Sequence, residues 1–220
     1  MIRTTDPTGA LRRIVTTPRF PTLEFEKALW NGGFGHIAGI DEAGRGAWAG
    51  PVCAATVILP RTPHLERTLR GVRDSKQMTP LARESWVPRI KEIALAWRVG
   101  FASIEEIDAL GIVPATKLAA RRAIASLFPK PDTLITDYLI FPEIPLPQTA
   151  LVKGDRRSLS VAAASVLAKT ARDARMRELD LEYPGYGFAR HKGYGTPQHR
   201  AVIRQSGLCA LHRKSFAIGP

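Results

Sequence analysis

The sequence predicts an α/β fold in a single domain, followed by a short C-terminal appendage. Short apolar runs that are typical of buried strands alternate with longer stretches of helical periodicity. An alanine-rich segment over 158–183 has the length of one long helix. The tail from Pro184 is instead rich in Gly, Tyr, His and Arg, and this change of composition marks the appendage.

Strands are expected where short apolar runs are bounded by Gly, Pro or polar residues. In chain order we predict them at 36–40, 52–59, 97–104, 133–140 and 150–153. The first strand ends at Asp41, and the glycine-rich loop that follows favours an antiparallel hairpin with the second. Asp137 lies inside the fourth strand.

Helices are expected where helical periodicity coincides with start and stop signals. We predict them at 21–30, 79–96, 105–110, 115–128, 158–183 and 197–205. Thr79-Pro80 is such a start signal, because Thr caps helices well and Pro suits the first helical position. The predicted organisation is a polar leader with a short helix over 1–34, the α/β domain over 35–183, and the appendage over 184–220.

Basic residues exceed acidic ones, with 32 Lys and Arg against 20 Asp and Glu, a net charge of +12. The excess is concentrated at the C-terminal end, where residues 151–220 carry 13 basic and 5 acidic side chains. Such a segment predicts a polyanionic partner, because neutralising phosphates releases counterions and favours binding. A basic surface that serves only solubility is the alternative.

Compartment and membrane association are also predicted from the composition. The two cysteines, Cys53 and Cys209, are far apart and match no metal or redox spacing, which favours a reduced, cytoplasmic location. No apolar run approaches the roughly 20 residues that a membrane span needs. The first 20 residues have no continuous apolar core, so we expect no secretory signal but a polar, loosely ordered leader.

Four acids stand out by position: Asp41 and Glu42 end the first strand, Asp137 lies in the fourth, and Asp173 lies in the long helix. Small residues on the face of that helix that carries Asp173 would let it approach the strand ends. Converging carboxylates repel one another, and divalent metal relieves the repulsion. Carboxylate sites suit Mg²⁺ or Mn²⁺, and two such ions about 4 Å apart can catalyse phosphodiester hydrolysis.

Each acid also has a structural interpretation. Asp41 and Glu42 could cap a turn, and Asp137 could be a turn or edge-strand aspartate. Asp173 has basic neighbours in its helix, among them Lys169 and Arg172, so that a helical ion pair is the simpler interpretation when this residue is considered alone. The metal-site prediction therefore depends on all four acids converging.

Further candidates for substrate contact lie in loops and in the tail. Glycines in Gly44-Arg45-Gly46 let the backbone approach a ligand closely, and successive amides there can hold a phosphate. A plain hairpin turn would explain the glycines but not the arginine between them. Lys76 and Lys153 could contact phosphates or be solvated turn residues. The tail interleaves aromatic and basic residues, a pattern typical of nucleic-acid surfaces and also of ordinary packing; these residues are Tyr183, Tyr186, Phe188, Arg190, His191, Lys192 and Tyr194.

Several segments, in order along most of the chain, resemble ribonuclease HII, the bacterial type 2 ribonuclease H. The matching stretches are GIDEAGRGAWAGPV, RDSKQMTP, EEIDALGI, ALVKGDRRSLSVAAASVLAKTARD, YPGYGFARHKGYGTPQH and the final LHRKSF. The resemblance implies a ribonuclease H-like fold, with a central mixed β-sheet flanked by helices and a small helical C-terminal extension that binds substrate. It also implies hydrolysis of the RNA strand of RNA/DNA hybrids, and incision 5′ of single ribonucleotides in duplex DNA that leaves 3′-hydroxyl and 5′-phosphate ends.

The resemblance further implies roles for individual residues. The metal-binding catalytic acids, which hold two Mg²⁺ or Mn²⁺ ions, would be Asp41, Glu42, Asp137 and Asp173. The contacts to the 2′-hydroxyl and the phosphates would be Gly44, Arg45 and Gly46. Tyr186 would pack on the ribonucleotide sugar, with Tyr183 as the alternative. A monomer is expected, and contact with a replication clamp is left open.

The chain departs from the family pattern at two positions. Tyr138 follows Asp137 where glycine is usual, and Gly111 stands where the family commonly has asparagine. Ribonuclease HIII shares this chemistry but carries an additional N-terminal domain, for which we expect the residues before the first strand to be too few. Two other function classes remain as alternatives: a different metal nuclease of this fold, such as a resolvase or a type 1 ribonuclease H, and a non-catalytic nucleic-acid-binding module.

Overall fold

The structure, a computed structural model, describes residues 3–5, 11–13 and 20–219. In the predicted leader it shows two short antiparallel strands, β1 (Arg3–Thr5) and β2 (Leu11–Arg13). The rest of the leader before Phe20, and with it the prediction of loose order, lies outside the described residues. Within the described part of the chain, no helix is long and apolar enough to cross a membrane.

A five-stranded mixed sheet forms the centre of the fold. Its strands are β3 (Ile37–Ala43), β4 (Val52–Ile58), β5 (Ala96–Ala102), β6 (Thr133–Asp137) and β7 (Gln148–Leu151), in the spatial order β5-β4-β3-β6-β7. The β3–β4 and β4–β5 pairs are antiparallel, and β6 is parallel to both β3 and β7. The five predicted strands and the hairpin are confirmed, as is the mixed sheet, but the fourth strand ends at Asp137 and not at residue 140. The predicted end of the first strand at Asp41 is wrong, because the ladder continues until Ala43 pairs with Cys53.

Helices cover both faces of the sheet. They are α1 (Glu24–Asn31), α2 (Leu65–Thr68), α3 (Pro80–Ile93), α4 (Ile104–Leu110), α5 (Ile112–Ala125), α6 (Leu159–Glu182), α7 (Phe188–His191) and α8 (Pro197–Ser206), with 3-10 turns at Ser75–Gln77 and Gly154–Arg156. The side chains of Thr79 and Ser158 cap α3 and α6. The predicted helices are confirmed. Helices α2 and α7 and the two 3-10 turns were not predicted, because they are too short to show periodicity.

Helix α6 packs against one face of the sheet and α5 packs against the other. The approach of α6 to β3 is so close that a Cβ added at Gly39 would lie 2.3 Å from the backbone of Ser160. Alanines on α6 make this approach possible, as the small-residue pattern predicts. The helix therefore passes directly over the strand that carries Asp41 and Glu42.

The C-terminal segment is tied to the loop that follows β3. The Trp48 amide donates to Gly193 O at 2.8 Å, and the Gly50 amide donates to Leu211 O at 2.9 Å. The chain after α6 thus returns to the carboxyl end of β3, where the predicted site residues lie.

Candidate active site

Carboxylates from β3 and β6 meet at one end of the sheet. Ile40 pairs with Thr136 in the parallel ladder, so Asp41 and Asp137 occupy the next positions on neighbouring strands. Asp41 is only 5% exposed. Burial, followed by the negative charge of Glu42, raises the pKa of Asp41 well above its ordinary value. The structure therefore brings Asp41, Glu42 and Asp137 together.

The fourth acid in this cluster is Asp155, which the sequence analysis did not select. It lies in the 3-10 turn after β7 and is 5% exposed. Burial, together with the charges of Asp74 and Asp137, raises its pKa to about 7. The Gly154 amide donates to Asp137 Oδ1 at 2.8 Å and holds this turn against β6. The sequence does carry one signal for Asp155: an acid just after the strand at 150–153 must lie near the other strand ends if that strand is parallel to its neighbour.

Asp173 does not join the cluster, and its predicted position there is corrected. Its carboxylate is bonded to Lys169 Nζ at 2.6 Å and to Arg83 Nη2 at 3.4 Å, in a site where it is only 6% exposed. The residue of α6 that lies against Asp41 and lowers its pKa is Ser165. Asp173 lies eight residues further along, about 12 Å away on an α-helix. The ion-pair interpretation is therefore the one that the contacts of Asp173 support.

Lys76 is the cation that the structure places among these acids. Burial alone would lower the pKa of this lysine, but the charges of Asp41 and Asp155 outweigh it and raise the pKa. The backbone there is fixed by Asp74, whose carboxylate accepts from the Lys76 amide at 2.9 Å. The positive charge of Lys76 thus offsets part of the repulsion between the carboxylates. A bound metal cation would reduce the same repulsion further.

The oxygen atoms of the four carboxylates are suitable ligands for a hard divalent cation, although the side chains do not adopt a metal-binding arrangement. Among the described residues, no three His, Cys, Asp or Glu side chains converge closely enough to hold a metal ion. Glu42 instead binds Arg45 Nη1 at 3.0 Å, and Asp137 accepts from Gly154. The carboxylates are nevertheless clustered, buried or half-buried, and mutually repelling, and their oxygens are the ligands that such cations prefer. Metal binding would require Glu42 to share or release its arginine partner.

The Gly44-Arg45-Gly46 loop directly follows Asp41 and Glu42 in the chain. Two buried arginines, Arg213 and Arg172, pack against it. Arg213 donates to the carbonyl oxygens of Gly44 at 2.8 Å and Arg45 at 3.0 Å. At Gly44, φ is +95° and an added Cβ would lie 1.9 Å from Arg172 Nε, so only glycine fits. Within the described part of the chain, no hydrogen bond takes the amide of Arg45 or Gly46. The loop therefore turns its carbonyls to Arg213 and keeps two amides for a ligand.

The remaining predicted contacts are placed differently. Lys153 is exposed at the start of the 3-10 turn that carries Asp155, with a left-handed φ of +56°. Tyr186 makes its described contacts within the C-terminal segment, where its ring stacks on Phe188 and its hydroxyl donates to Gly207 O at 3.2 Å. Tyr183 packs against the same small core.

Tyr194 is the aromatic residue that the structure places beside the Gly44-Arg45-Gly46 loop. Its half-buried ring faces the guanidinium of Arg172 at 5.4 Å and Lys169 Nζ at 5.5 Å. Arg172 in turn touches Gly44 and donates to Pro51 O at 2.9 Å. Of the tail tyrosines singled out in the sequence, Tyr194 and not Tyr186 thus shares a neighbour with this loop.

Comparison with known proteins identifies a family whose sequence pattern covers these site residues. A sequence model described as Ribonuclease HII matches residues 38–218, which include the acidic cluster, the Gly44-Arg45-Gly46 loop and nearly all of the C-terminal segment. The chain belongs to the ribonuclease HII family. It is therefore a hydrolytic endonuclease that acts on the RNA strand of RNA/DNA hybrids, from a family that depends on divalent metal.

The chain is similar to individual ribonuclease HII proteins over most of its length. Ribonuclease HII from Myxococcus xanthus is 51% identical over 196 residues, which are 89% of this chain and 66% of that protein. The enzyme from Thermus thermophilus is 50% identical over 192 residues, 87% of this chain and 91% of its own. These identities extend the family assignment well beyond the quoted motifs.

Solved structures of archaeal members confirm the predicted ribonuclease H-like fold. Ribonuclease H2 from Pyrococcus horikoshii superimposes with a TM-score of 0.69 at 26% identity, over 83% of this chain and 94% of that one. The ribonuclease HII in the PCNA complex from Archaeoglobus fulgidus gives 0.67 at 29% identity, over 81% and 92%. The sheet and its flanking helices are thus those of type 2 ribonucleases H.

A buried histidine cluster supports the C-terminal segment of this ribonuclease HII. Nε2 of His199 lies 3.1 Å from Nε2 of His212, so one nitrogen donates and the other accepts. The ring of His191 stacks on that of His199, with centroids 4.1 Å apart. Burial, followed by the charge of His191, lowers the pKa of His199 to about 4. The cluster is therefore built from neutral imidazoles.

Acidification is expected to destabilise the protein through His199. An unfolded histidine titrates near pH 6.5, so between about pH 4 and 6.5 the unfolded state binds more protons, and stability falls as pH is lowered. From pH 7.5 to 5.0 His199 contributes a loss of about 2 kcal/mol, while the raised pKa of Asp155 contributes a gain in the opposite sense. The measurement is therefore a difference between proteins: in thermal melts, the stability of His199→Gln relative to the wild type should rise by about 2 kcal/mol as pH falls from 7.5 to 5.0. His64→Gln, at an exposed histidine, is the matched control and should keep the wild-type pH dependence. An unchanged pH dependence in His199→Gln would contradict this role.

Proposed function

We propose that this ribonuclease HII also incises duplex DNA 5′ of single embedded ribonucleotides, leaving 3′-hydroxyl and 5′-phosphate ends. The observation that carries the proposal is the direct continuity between the acidic cluster and the Gly44-Arg45-Gly46 loop. Arg45 is bonded to Glu42 at 3.0 Å, so a loop that reads the substrate is coupled to an acid of the cluster. Selection by a single 2′-hydroxyl is physically sound, because that group distinguishes RNA from DNA locally.

The catalytic acids in this proposal are Asp41, Glu42, Asp137 and Asp155, with Asp155 in the place first predicted for Asp173. They would hold two divalent ions, Mg²⁺ or Mn²⁺, which supply an activated water and stabilise the leaving 3′-oxygen. The chain itself contributes a buried, preorganised negative site, with Lys76 beside the acids to contact the scissile phosphate. Burial strengthens each of these electrostatic interactions.

Substrate contacts are assigned to the loop and to the C-terminal segment. The free amides of Arg45 and Gly46, next to Gly44, would bind the 2′-hydroxyl and phosphates. Tyr194 would pack on the ribonucleotide sugar, a role that its position beside Arg172 supports better than the position of Tyr186 does.

The wider organisation is part of the same proposal. Residues 35–183 form the catalytic domain and 184–220 a substrate-binding extension, preceded by the leader and short helix over 1–34. The chain is proposed to act as a monomer, because the four acids of one chain form the site without a second subunit. A cytoplasmic location is supported by the free thiols of Cys53 and Cys209. The PCNA complex of the Archaeoglobus relative makes a replication clamp a partner worth testing.

The test is a nicking assay on a DNA duplex with one ribonucleotide, run with Mg²⁺ and with Mn²⁺. We expect the wild type to nick 5′ of the ribonucleotide. Arg45→Ala keeps the backbone amide but should lower kcat/KM about 10- to 100-fold, because removing the guanidinium loses a charge-assisted contact to a substrate phosphate worth roughly 1.5–3 kcal/mol. Arg61→Ala, at the opposite end of the sheet, is the matched control and should stay within about twofold.

Two results would contradict the proposal. If the wild type cleaves long hybrids but not the single-ribonucleotide duplex, the incision activity is wrong. If Arg45→Ala nicks as fast as Arg61→Ala, the Arg45 side chain does not contribute to reading the ribonucleotide, and a metal nuclease that recognises its substrate without this arginine is the better interpretation.

A further inference from the structure

Tyr138 directly follows Asp137, and its side chain is 70% exposed. Large aromatic side chains normally bury much of their surface, and packing does not account for one this exposed beside the acidic cluster. The assigned roles of the acids, the Gly44-Arg45-Gly46 loop and Tyr194 leave this residue without a function.

The backbone at Tyr138 is held in a strained conformation. Its φ is +66°, in the left-handed region that bulky residues rarely adopt. The Leu139 amide donates to Asp137 O at 2.8 Å and closes a three-residue turn around it. The Tyr138 amide is fixed by Leu151 O at 3.0 Å. A glycine would fit this turn without strain, so the aromatic side chain has a cost in stability that a functional contact would offset.

Two exposed neighbours extend Tyr138 into a patch. Asp137 pairs with Leu151 in the parallel ladder, so Tyr138 and Val152 follow side by side at the ends of their strands. Val152 is 65% exposed, and Lys153 is exposed beside it. We call Tyr138, Val152 and Lys153 the Tyr138 patch. It combines apolar surface with a cation and is continuous with the acids, since Gly154 after it binds Asp137.

We propose that the Tyr138 patch binds the sugar–phosphate backbone of the substrate duplex next to the cleaved bond. This inference rests on the proposed function. The ring of Tyr138 packs on a sugar, and Lys153 pairs with an adjacent phosphate. The wide, shallow minor groove of an RNA-containing duplex presents its sugars to such a surface, and aromatic contacts of this kind are tolerant of sequence. Tyr138 is thus a substrate-binding residue in the turn that follows β6.

The experiment separates the ring from the backbone strain. Kinetics on an RNA/DNA hybrid and on the single-ribonucleotide duplex are combined with thermal melts. Tyr138→Gly should raise KM about tenfold on both substrates with kcat within about twofold, while raising Tm by about 2–4 °C through relief of strain. Tyr138→Ala should raise KM equally without the gain in Tm. Tyr138→Phe should keep KM within about threefold, because the ring is retained.

His64 supplies the matched control for strain. It is exposed, has a left-handed φ of +62°, and lies before α2, outside the proposed site. His64→Gly should raise Tm as Tyr138→Gly does and leave KM unchanged. The inference is overturned if KM in both Tyr138→Gly and Tyr138→Ala stays within about twofold of wild type. It is also overturned if only the glycine variant changes KM, since backbone freedom and not the ring would then be responsible. A higher KM on hybrids alone, with no incision of the single-ribonucleotide duplex by any variant, supports the patch and rejects the proposed function instead.

Discussion

Asp155→Asn is expected to lower kcat on an RNA/DNA hybrid by about 10³-fold or more, while the folded protein keeps its structure. Asp155 is one of four clustered carboxylates at the strand ends, of which it and Asp41 are buried. Losing one ligand weakens an electrostatic effect worth several kcal/mol. The substitution removes a negative charge from a repelling cluster. The Tm of the metal-free protein should therefore rise by several degrees at pH 7.5.

Asp173→Asn is the matched comparison and should behave in the opposite way. It leaves Arg83 and Lys169 without their buried partner, which costs roughly 3–5 kcal/mol and lowers Tm. Below the melting temperature, kcat should remain within about tenfold of wild type, because this carboxylate is bonded away from the cluster.

Stopped assays with Mg²⁺ or Mn²⁺ and thermal melts in chelator distinguish the two residues. A wild-type rate in Asp155→Asn, or the larger loss of kcat in folded Asp173→Asn, would restore the assignment made from the sequence. Metal titration adds a second readout, since only Asp155→Asn should shift the half-saturating metal concentration.

The contrast between these two aspartates shows where sequence patterns are informative. Strand positions follow from apolar runs, and the parallel ladder of β3 and β6 brings Asp41 and Asp137 together. Helical periodicity does not determine how far along α6 a residue lies relative to the sheet, and Asp173 lies about two turns past Ser165, the α6 residue against Asp41. Asp155 follows a strand of only four residues, whose parallel pairing with β6 is not visible in the sequence.

Contacts between side chains and backbone groups that are distant in the chain could not be predicted from the sequence either. Arg213 reaches carbonyls of Gly44 and Gly50 across more than 160 residues of chain. A basic residue in a tail with net positive charge predicts a phosphate contact, and no local pattern indicates that this one is buried. The same holds for Tyr194, whose position beside Arg172 depends on how the extension folds back.

Arg213→Lys is expected to destabilise the protein by about 3 kcal/mol and to weaken substrate selection. The guanidinium is fully buried and donates to the carbonyls of Gly44, Arg45 and Gly50 at 2.8–3.0 Å. A lysine keeps the charge but cannot reproduce the fork of donors, so carbonyls are left unsatisfied at roughly 1–3 kcal/mol each. At 2–4 °C per kcal/mol, Tm should fall by about 6–12 °C.

The kinetic signature separates a support for the loop from a general loss of packing. With the Gly44-Arg45-Gly46 loop released, KM for the single-ribonucleotide duplex should rise about tenfold at a temperature where the variant is folded. The half-saturating metal concentration should stay unchanged, because Arg213 contacts no carboxylate of the cluster in the described structure. Lys214→Gln, at the exposed neighbouring lysine, is the matched control and should leave both Tm and KM at wild-type values. A fall in Tm without any change in KM would show that Arg213 stabilises the fold but does not position the loop. In that case the rest of the chain would be sufficient to hold the loop amides in place for the substrate.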